Sequence, residues 1–243
     1  LVINIWLLII VCILFLGYWL FVIYSMQILN LKPRAVIFDM DGVLIDSEKW
    51  WPLFERKFFI EILGKWSMPL HREVVGRSIK DIHQILTQHH GLKMNWQEFR
   101  QAYDVAALDL YNRQCSLMPG ARAVIEHCAK KGINLAVASS AFRSWIDLVL
   151  TRFELTIFFK VVVSAEDVGG RGKPAPDIYL ASLDKLGLPP EKCLVIEDSK
   201  NGILAGKAAK IKVIGYRTPD NVGVDLSAAD QEIANLEEII KLL

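Results

Sequence analysis

The chain has 243 residues, 53% of them hydrophobic and 23% charged, with a formal net charge of +1. That length and apolar content suit one domain, or one domain carrying an insertion, and exclude a disordered or collagen-like chain. The near-neutral balance argues against a nucleic-acid binder that works through a basic surface. Cys12, Cys115, Cys128 and Cys193 are scattered without C-x-x-C or zinc spacing, so neither a disulfide framework nor a structural zinc is expected. Lone thiols fit a reducing cytosol.

Residues 1–31 form an apolar segment of their own. Ile5 to Tyr24 is continuously apolar apart from Gly17, and the first charge is Lys32. A helix of that length would span about 30 Å, the thickness of a bilayer core. No basic residue precedes it, which argues against a signal peptide. Two readings stand. The run is a membrane anchor, with Lys32 and Arg34 keeping the remainder in the cytosol. Alternatively it is translated upstream sequence, with Met26 as the start of a cytoplasmic protein.

Five short, continuously apolar runs follow as expected strands: Arg34–Asp39, Ile133–Ser139, Lys160–Ser164, Cys193–Glu197 and Lys212–Gly215. Helical patterns alternate with the later ones, over Ala121–Lys131, Arg143–Arg152, Asp177–Leu186 and Ser199–Lys210. This alternation predicts an α/β fold, a Rossmann-like doubly wound parallel sheet covered on both faces. The stretch from 47 to 118 has no convincing strand and reads as helices over Trp50–Leu63, Ile79–His90 and Trp96–Arg113. The expected division is therefore a core from 32–46 and 119–243, with an all-helical insertion, 47–118, after the first strand.

The chemistry collects at strand ends, where parallel sheets bind ligands. The first strand ends Asp39-Met40-Asp41-Gly42 and the fourth ends Glu197-Asp198-Ser199. Carboxylates this close repel unless a cation lies between them or one holds a proton. Four of them make a site for a hard, oxygen-loving cation such as Mg²⁺. The bland alternative is that these acids only solubilise loops, with Asp198 or Ser199 capping the next helix. Gly42 allows a sharp turn and close backbone approach to a ligand. Ser139 and Ser140 close the second strand and suit either a phosphate or a plain helix cap. Lys173, in Gly169-Gly170-Arg171-Gly172-Lys173-Pro174, is either a fixed charge beside a phosphoryl group or an ordinary loop lysine.

In series these four segments resemble the four motifs of the haloacid dehalogenase superfamily of phosphohydrolases. The first is Asp39-Met40-Asp41-Gly42-Val43-Leu44-Ile45-Asp46-Ser47-Glu48, the second Ser139, the third Lys173 in Gly-Lys-Pro-Ala-Pro-Asp, the fourth Glu197-Asp198-Ser199 with Asn201-Gly202-Ile203. The insertion resembles the small helical cap of the branch that includes β-phosphoglucomutase and sugar-phosphate phosphatases. The resemblance implies that Asp39 is the nucleophile and Asp41 the general acid and base. It also implies Mg²⁺ held by Asp39, the Asp41 carbonyl and Asp198, with Glu197 acting through water, and phosphoryl oxygens held by Ser139 and Lys173. Asp41 sets the chain apart from true dehalogenases, which expel halide and lack this second Asp.

The expected activity is a Mg²⁺-dependent phosphatase acting on a small phosphorylated metabolite, a sugar or polyol phosphate, through an aspartyl-phosphate. A phosphomutase and a non-catalytic membrane-tethered binding module are the alternatives. Trp51 stands where the mutase branch has a hinge His, and Ile79 where it has a phosphate-gripping Arg, with Arg77 as a stand-in; both departures weaken the mutase reading. Trp51, Arg77, Ser78 and Lys80 are the expected substrate selectors, beside Gly42 and Ser140. A monomer is expected, as is a left-handed turn at Lys210, where relatives carry Gly.

Overall fold

The computed structural model describes residues 32–74 and 77–243. The possible anchor at 5–24 lies outside the described residues, among which no helix is long and apolar enough to cross a membrane.

Six parallel strands form one sheet: β1 (Ala35–Phe38), β2 (Asn134–Ser139), β3 (Phe159–Ser164), β4 (Cys193–Glu197), β5 (Lys212–Tyr216) and β6 (Gln231–Ile233). Their order is β3-β2-β1-β4-β5-β6. Side chains alternate across the sheet. Val36 and Phe38 of β1 join one buried cluster, while Ala35 and Ile37 join a second on the opposite face. Burial on both faces is why the strands read as unbroken apolar runs. The chain runs from β1 outward through β2 and β3, then returns to the other side of β1 for β4. The crevice between β1 and β4 is thus the topological switch point, the place where such sheets bind ligands.

Between β1 and β2 come only helices: α1 (Trp51–Leu63), α2 (Met68–Val74), α3 (Ile79–His89) and α4 (Trp96–Asp109). Then come α5 (Ala121–Lys130), α6 (Arg143–Arg152), α7 (Asp177–Leu186), α8 (Lys200–Ala208) and α9 (Glu238–Leu242). The two crossings between the helical layer and the sheet run side by side. Ile45 bridges Leu117, the Asp46 N–H donates to the Ser116 carbonyl at 3.0 Å, and the Ser116 N–H donates to Asp46 Oδ1 at 2.6 Å.

Three expectations need correction. β6, α2 and α9 were not anticipated; each has only three to seven residues, too few to show a period. The helix expected to run to Arg113 stops at Asp109 and passes into one π-helical turn, Leu110–Gln114. The helix expected from Ser199 begins at Lys200, because Ser199 is its cap and its hydroxyl accepts from the Gly202 N–H. Lys210 does take the left-handed conformation, with φ +60°.

Candidate active site

Asp39 leaves β1 directly beside the end of β4, with its N–H on the Ile196 carbonyl at 3.1 Å. The next six residues fold into a tight loop in which the Val43, Leu44 and Ile45 N–H groups all turn back to the Met40 carbonyl. Met40, Val43, Leu44 and Ile45 are buried, so apolar burial anchors the loop. Gly42 has φ +76°, and a Cβ there would lie 2.1 Å from Asp198 Oδ2. Only glycine leaves room for that carboxylate beside the loop.

Lys173 reaches in from the loop between β3 and α7. Its Nζ donates to Asp39 Oδ1 at 2.8 Å, to Glu197 Oε1 at 2.6 Å and to the Ala138 carbonyl at 3.2 Å. Three acceptors match the three protons of an ammonium. Burial alone would favour the neutral amine, but Asp39 and Glu197 outweigh it and hold Lys173 charged. Glu197 is fully buried. The Tyr179 hydroxyl donates to its Oε1 at 2.6 Å, and the Ser199 hydroxyl donates to its Oε2 at 3.0 Å. Gly202 makes space for this acid too, since a Cβ there would come within 1.9 Å of the Glu197 carboxyl.

Asp39, Glu197 and Asp198 each offer a carboxylate oxygen, and the three lie within 4.8 Å of one another. All three are buried. Burial, with repulsion from Glu197 and Asp41, pushes Asp39 up to about 8 against the pull of Lys173. Burial and the neighbouring Glu197 and Asp39 raise Asp198 as well. Asp39, Glu197 and Asp198 share one lysine, with Asp41 as a fourth acid nearby. This all-oxygen, charge-deficient cluster is chemically matched to a hard divalent cation.

Asp41 points elsewhere. Its Oδ1 accepts from the Ser47 hydroxyl at 2.6 Å and from the Tyr111 hydroxyl at 3.0 Å. Burial raises its pKa, and the Ser47, Tyr111 and Trp51 donors oppose the rise. Ser139 is buried and its Oγ accepts from the Ala141 N–H at 3.1 Å, while Ser140 is exposed.

These groups open into a cavity of about 530 Å³ between the strand ends and the helical layer. Trp51, Arg77, Ser78, Ser139, Ser140 and Lys173 all line it with Asp39, Asp41 and Asp198; Lys80 does not. The cavity brings in residues that the sequence reading gave no role. Glu48 is open to water from the cavity yet crowded by protein, which, with Asp41, Glu55, Asp220 and Glu197, pushes it up to about 7. Glu55 lines the cavity while bonded to His71 Nδ1 at 2.7 Å. Glu48 and Ser47 stood inside the first motif and could have been singled out there. Tyr111 and Tyr179 belong to no polar motif, and only the fold shows what they touch.

A family model for haloacid dehalogenase-like hydrolases matches residues 36–216, three quarters of the chain. The chain belongs to the haloacid dehalogenase-like hydrolases. Within that family it is 34% identical over 215 residues to a "Phosphorylated carbohydrates phosphatase" of Thermotoga maritima, covering 86% of this chain and 98% of that protein. It is 30% identical over 213 residues to a "Probable pseudouridine-5'-phosphatase" of Drosophila melanogaster, covering 85% and 91% respectively. Among solved structures, CbbY from Rhodobacter sphaeroides in complex with phosphate superposes with a TM-score of 0.76 at 25% identity, covering 85% of this chain and 96% of that one. This haloacid dehalogenase-like hydrolase is a phosphoric monoester hydrolase, and its sheet with an inserted helical layer is the architecture of that branch.

Proposed function

We propose that this enzyme hydrolyses a small sugar or polyol monophosphate through an aspartyl-phosphate on Asp39, with Mg²⁺ as cofactor and residues 47–118 acting as the substrate-selecting cap. The observation that carries the reading is the convergence on Asp39 of Lys173 at 2.8 Å and of the Glu197–Asp198 pair within 4.8 Å. Asp39 attacks phosphorus, the bond to the leaving oxygen breaks with its electron pair, and Asp41 supplies that oxygen with a proton. Water then attacks the aspartyl-phosphate and gives a proton to Asp41, which restores both carboxyl groups. Lys173 and Ser139 hold phosphoryl oxygens as charge moves onto them. Asp39 and Asp198, with the Asp41 carbonyl, would hold the metal. Glu197 is committed to Lys173, Tyr179 and Ser199, so its part is to fix Lys173 and to add negative charge nearby. When bound, Mg²⁺ neutralises charge on the phosphoryl oxygens.

A cavity of about 530 Å³ suits a sugar-sized group. The carbohydrate phosphatase of Thermotoga maritima supports that class. The buried free thiols Cys115, Cys128 and Cys193 fit a reducing, cytosolic setting. The test is phosphate release across sugar, polyol and nucleotide monophosphates with Mg²⁺, then with a chelator. Release confined to one sugar or polyol class, lost on chelation and restored by Mg²⁺, is expected. Movement of phosphate between carbons without release would instead make it a mutase, and no turnover of any substrate would overturn the enzymatic reading.

A further inference from the structure

The geometry points to Tyr111 as a positioning residue for the proton transfer at Asp41. This rests on the acid–base assignment of Asp41 above.

Tyr111 lies 70 residues from Asp41 in sequence, in the π-helical turn that comes after α4. That turn is closed by the Cys115 N–H on the Leu110 carbonyl at 3.1 Å, an i to i+5 bond. A π turn inserts one residue into a helix and rotates the residues beyond it, and such turns are frequent at functional sites. Here the sheet layer holds it in place. One guanidinium nitrogen of Arg152, at the end of α6, donates to the Tyr111 and Cys115 carbonyls, both at 2.8 Å. The Tyr111 ring is fully buried against Trp51 and Trp145, with centroids 5.9 and 5.4 Å away. Backbone and ring are thus both fixed, and the hydroxyl has one partner, Asp41 Oδ1 at 3.0 Å. A carboxylate oxygen accepts, so the phenol hydroxyl donates.

Ser47 donates to the same oxygen at 2.6 Å. Two hydroxyls hold Oδ1 and occupy its lone pairs, which leaves the transferable proton to Oδ2. In the first half-reaction that proton passes to the leaving oxygen as the P–O bond breaks. In the second, Oδ2 takes the proton of the attacking water as the Asp39–phosphorus bond breaks. Ser47 alone would leave Oδ1 free to swing about a single contact. Tyr111, 70 residues away in sequence, restrains the same oxygen from a second direction.

The test separates proton delivery from general damage through the leaving group. Alkyl phosphates need a proton on the departing oxygen, whereas p-nitrophenyl phosphate does not. For Tyr111→Phe, kcat/KM toward the preferred alkyl phosphate should fall at least tenfold, while kcat/KM toward p-nitrophenyl phosphate stays within about twofold and thermal melting is unchanged. Equal losses on both substrates, or no loss on either, would overturn the role. If Tyr111→Phe fails to fold, Tyr111→Leu replaces it: the buried site stays filled by an apolar side chain with no hydroxyl on Asp41, and the same two outcomes decide. Failure of the parent enzyme on both substrates would count against the acid–base reading itself and so differs from failure of this role.

Discussion

The carboxyl ends of β1 and β4 and the helical layer above them face one cavity but are built in opposite ways. At the strand ends charge is held by charge and by backbone: Lys173 has three acceptors, Glu197 has Tyr179 and Ser199 besides, and Gly42 and Gly202 give the acids room. In the helical layer the wall is aromatic. Tyr103 stacks on Trp51 at 6.1 Å and on Trp145 at 6.0 Å, and Phe58 and Phe99 pack behind it. On the proposed mechanism the strand ends stabilise a transferring phosphoryl group, with Lys173 already held by Asp39 and Glu197 before substrate arrives. The helical layer offers shape and a few polar tips such as Arg77 and Ser78. Substitution at the strand ends should therefore stop chemistry for all substrates, and substitution in the helical layer, Tyr111 apart, should change which substrate is used.

The largest effect is expected at Asp39. Asp39→Asn keeps the size of the side chain but removes the oxygen proposed to attack and one charge of the three-acid cluster. Turnover of every phosphate ester should drop more than about a thousandfold, as losing a nucleophile does in other covalent hydrolases. The fold should survive, since Lys173 keeps Glu197 at 2.6 Å and one repelling carboxylate is gone. Steady-state rates and a thermal melt together check this. Activity above a few per cent of the parent, in a folded preparation, would break the contrast at its first term.

A smaller and selective effect is expected at Arg77. It is exposed and lines the cavity. Arg77→Ala should reduce kcat/KM for the preferred sugar phosphate by about tenfold, the size of a charge-assisted hydrogen bond of about 1.5 kcal/mol. p-Nitrophenyl phosphate, which has no hydroxyls to grip, should be nearly unaffected. A uniform loss across substrates would mean that Arg77 contributes to the chemistry itself.

The same contrast explains what the sequence made legible. The strand-end residues lie in contiguous runs whose chemistry is dense, such as Asp39-Met40-Asp41-Gly42 and Glu197-Asp198-Ser199, and the parallel sheet necessarily gathers its strand ends. Five strands, the tight turn at Gly42 and the approach of Lys173 to the strand ends follow from that logic. Tyr111 and Tyr179 act across 70 and 18 residues through single hydroxyls. Neither sits in a patterned run, and on helical spacing both read as core aromatics, which their rings are. The full burial of Glu197 between Lys173 and Tyr179 depends on the packing of α7 on the sheet, which no local run displays. The π turn is equally silent: one extra residue in a helix leaves no compositional mark.

The smallest effect lies at the other end of the sheet, and it tests whether the site is insulated from the scaffold. Lys210 joins α8 to the start of β5, at the edge opposite the carboxyl ends. It is exposed and has φ +60°. Its N–H reaches the Lys207 carbonyl at 2.9 Å, and the Ile211 N–H reaches the Gly206 carbonyl at 3.1 Å, so the turn closes the helix whichever side chain is present. A left-handed conformation costs a residue with a Cβ about 1–2 kcal/mol. Glycine avoids that cost but loses about 0.5–1 kcal/mol more conformational freedom on folding. Lys210→Gly should therefore stabilise the protein by about 0.5–1 kcal/mol, a rise of about 1–4 °C in melting temperature for a domain of this size. Ile211, which packs inward behind the turn, is untouched. Because β5 carries no group that touches Asp39 or Lys173, kcat and KM should be those of the parent. A stability gain accompanied by altered turnover would show that strain at the amino edge is transmitted through the sheet to the strand ends; a loss of stability would mean that the lysine stem covers apolar surface worth more than the strained turn.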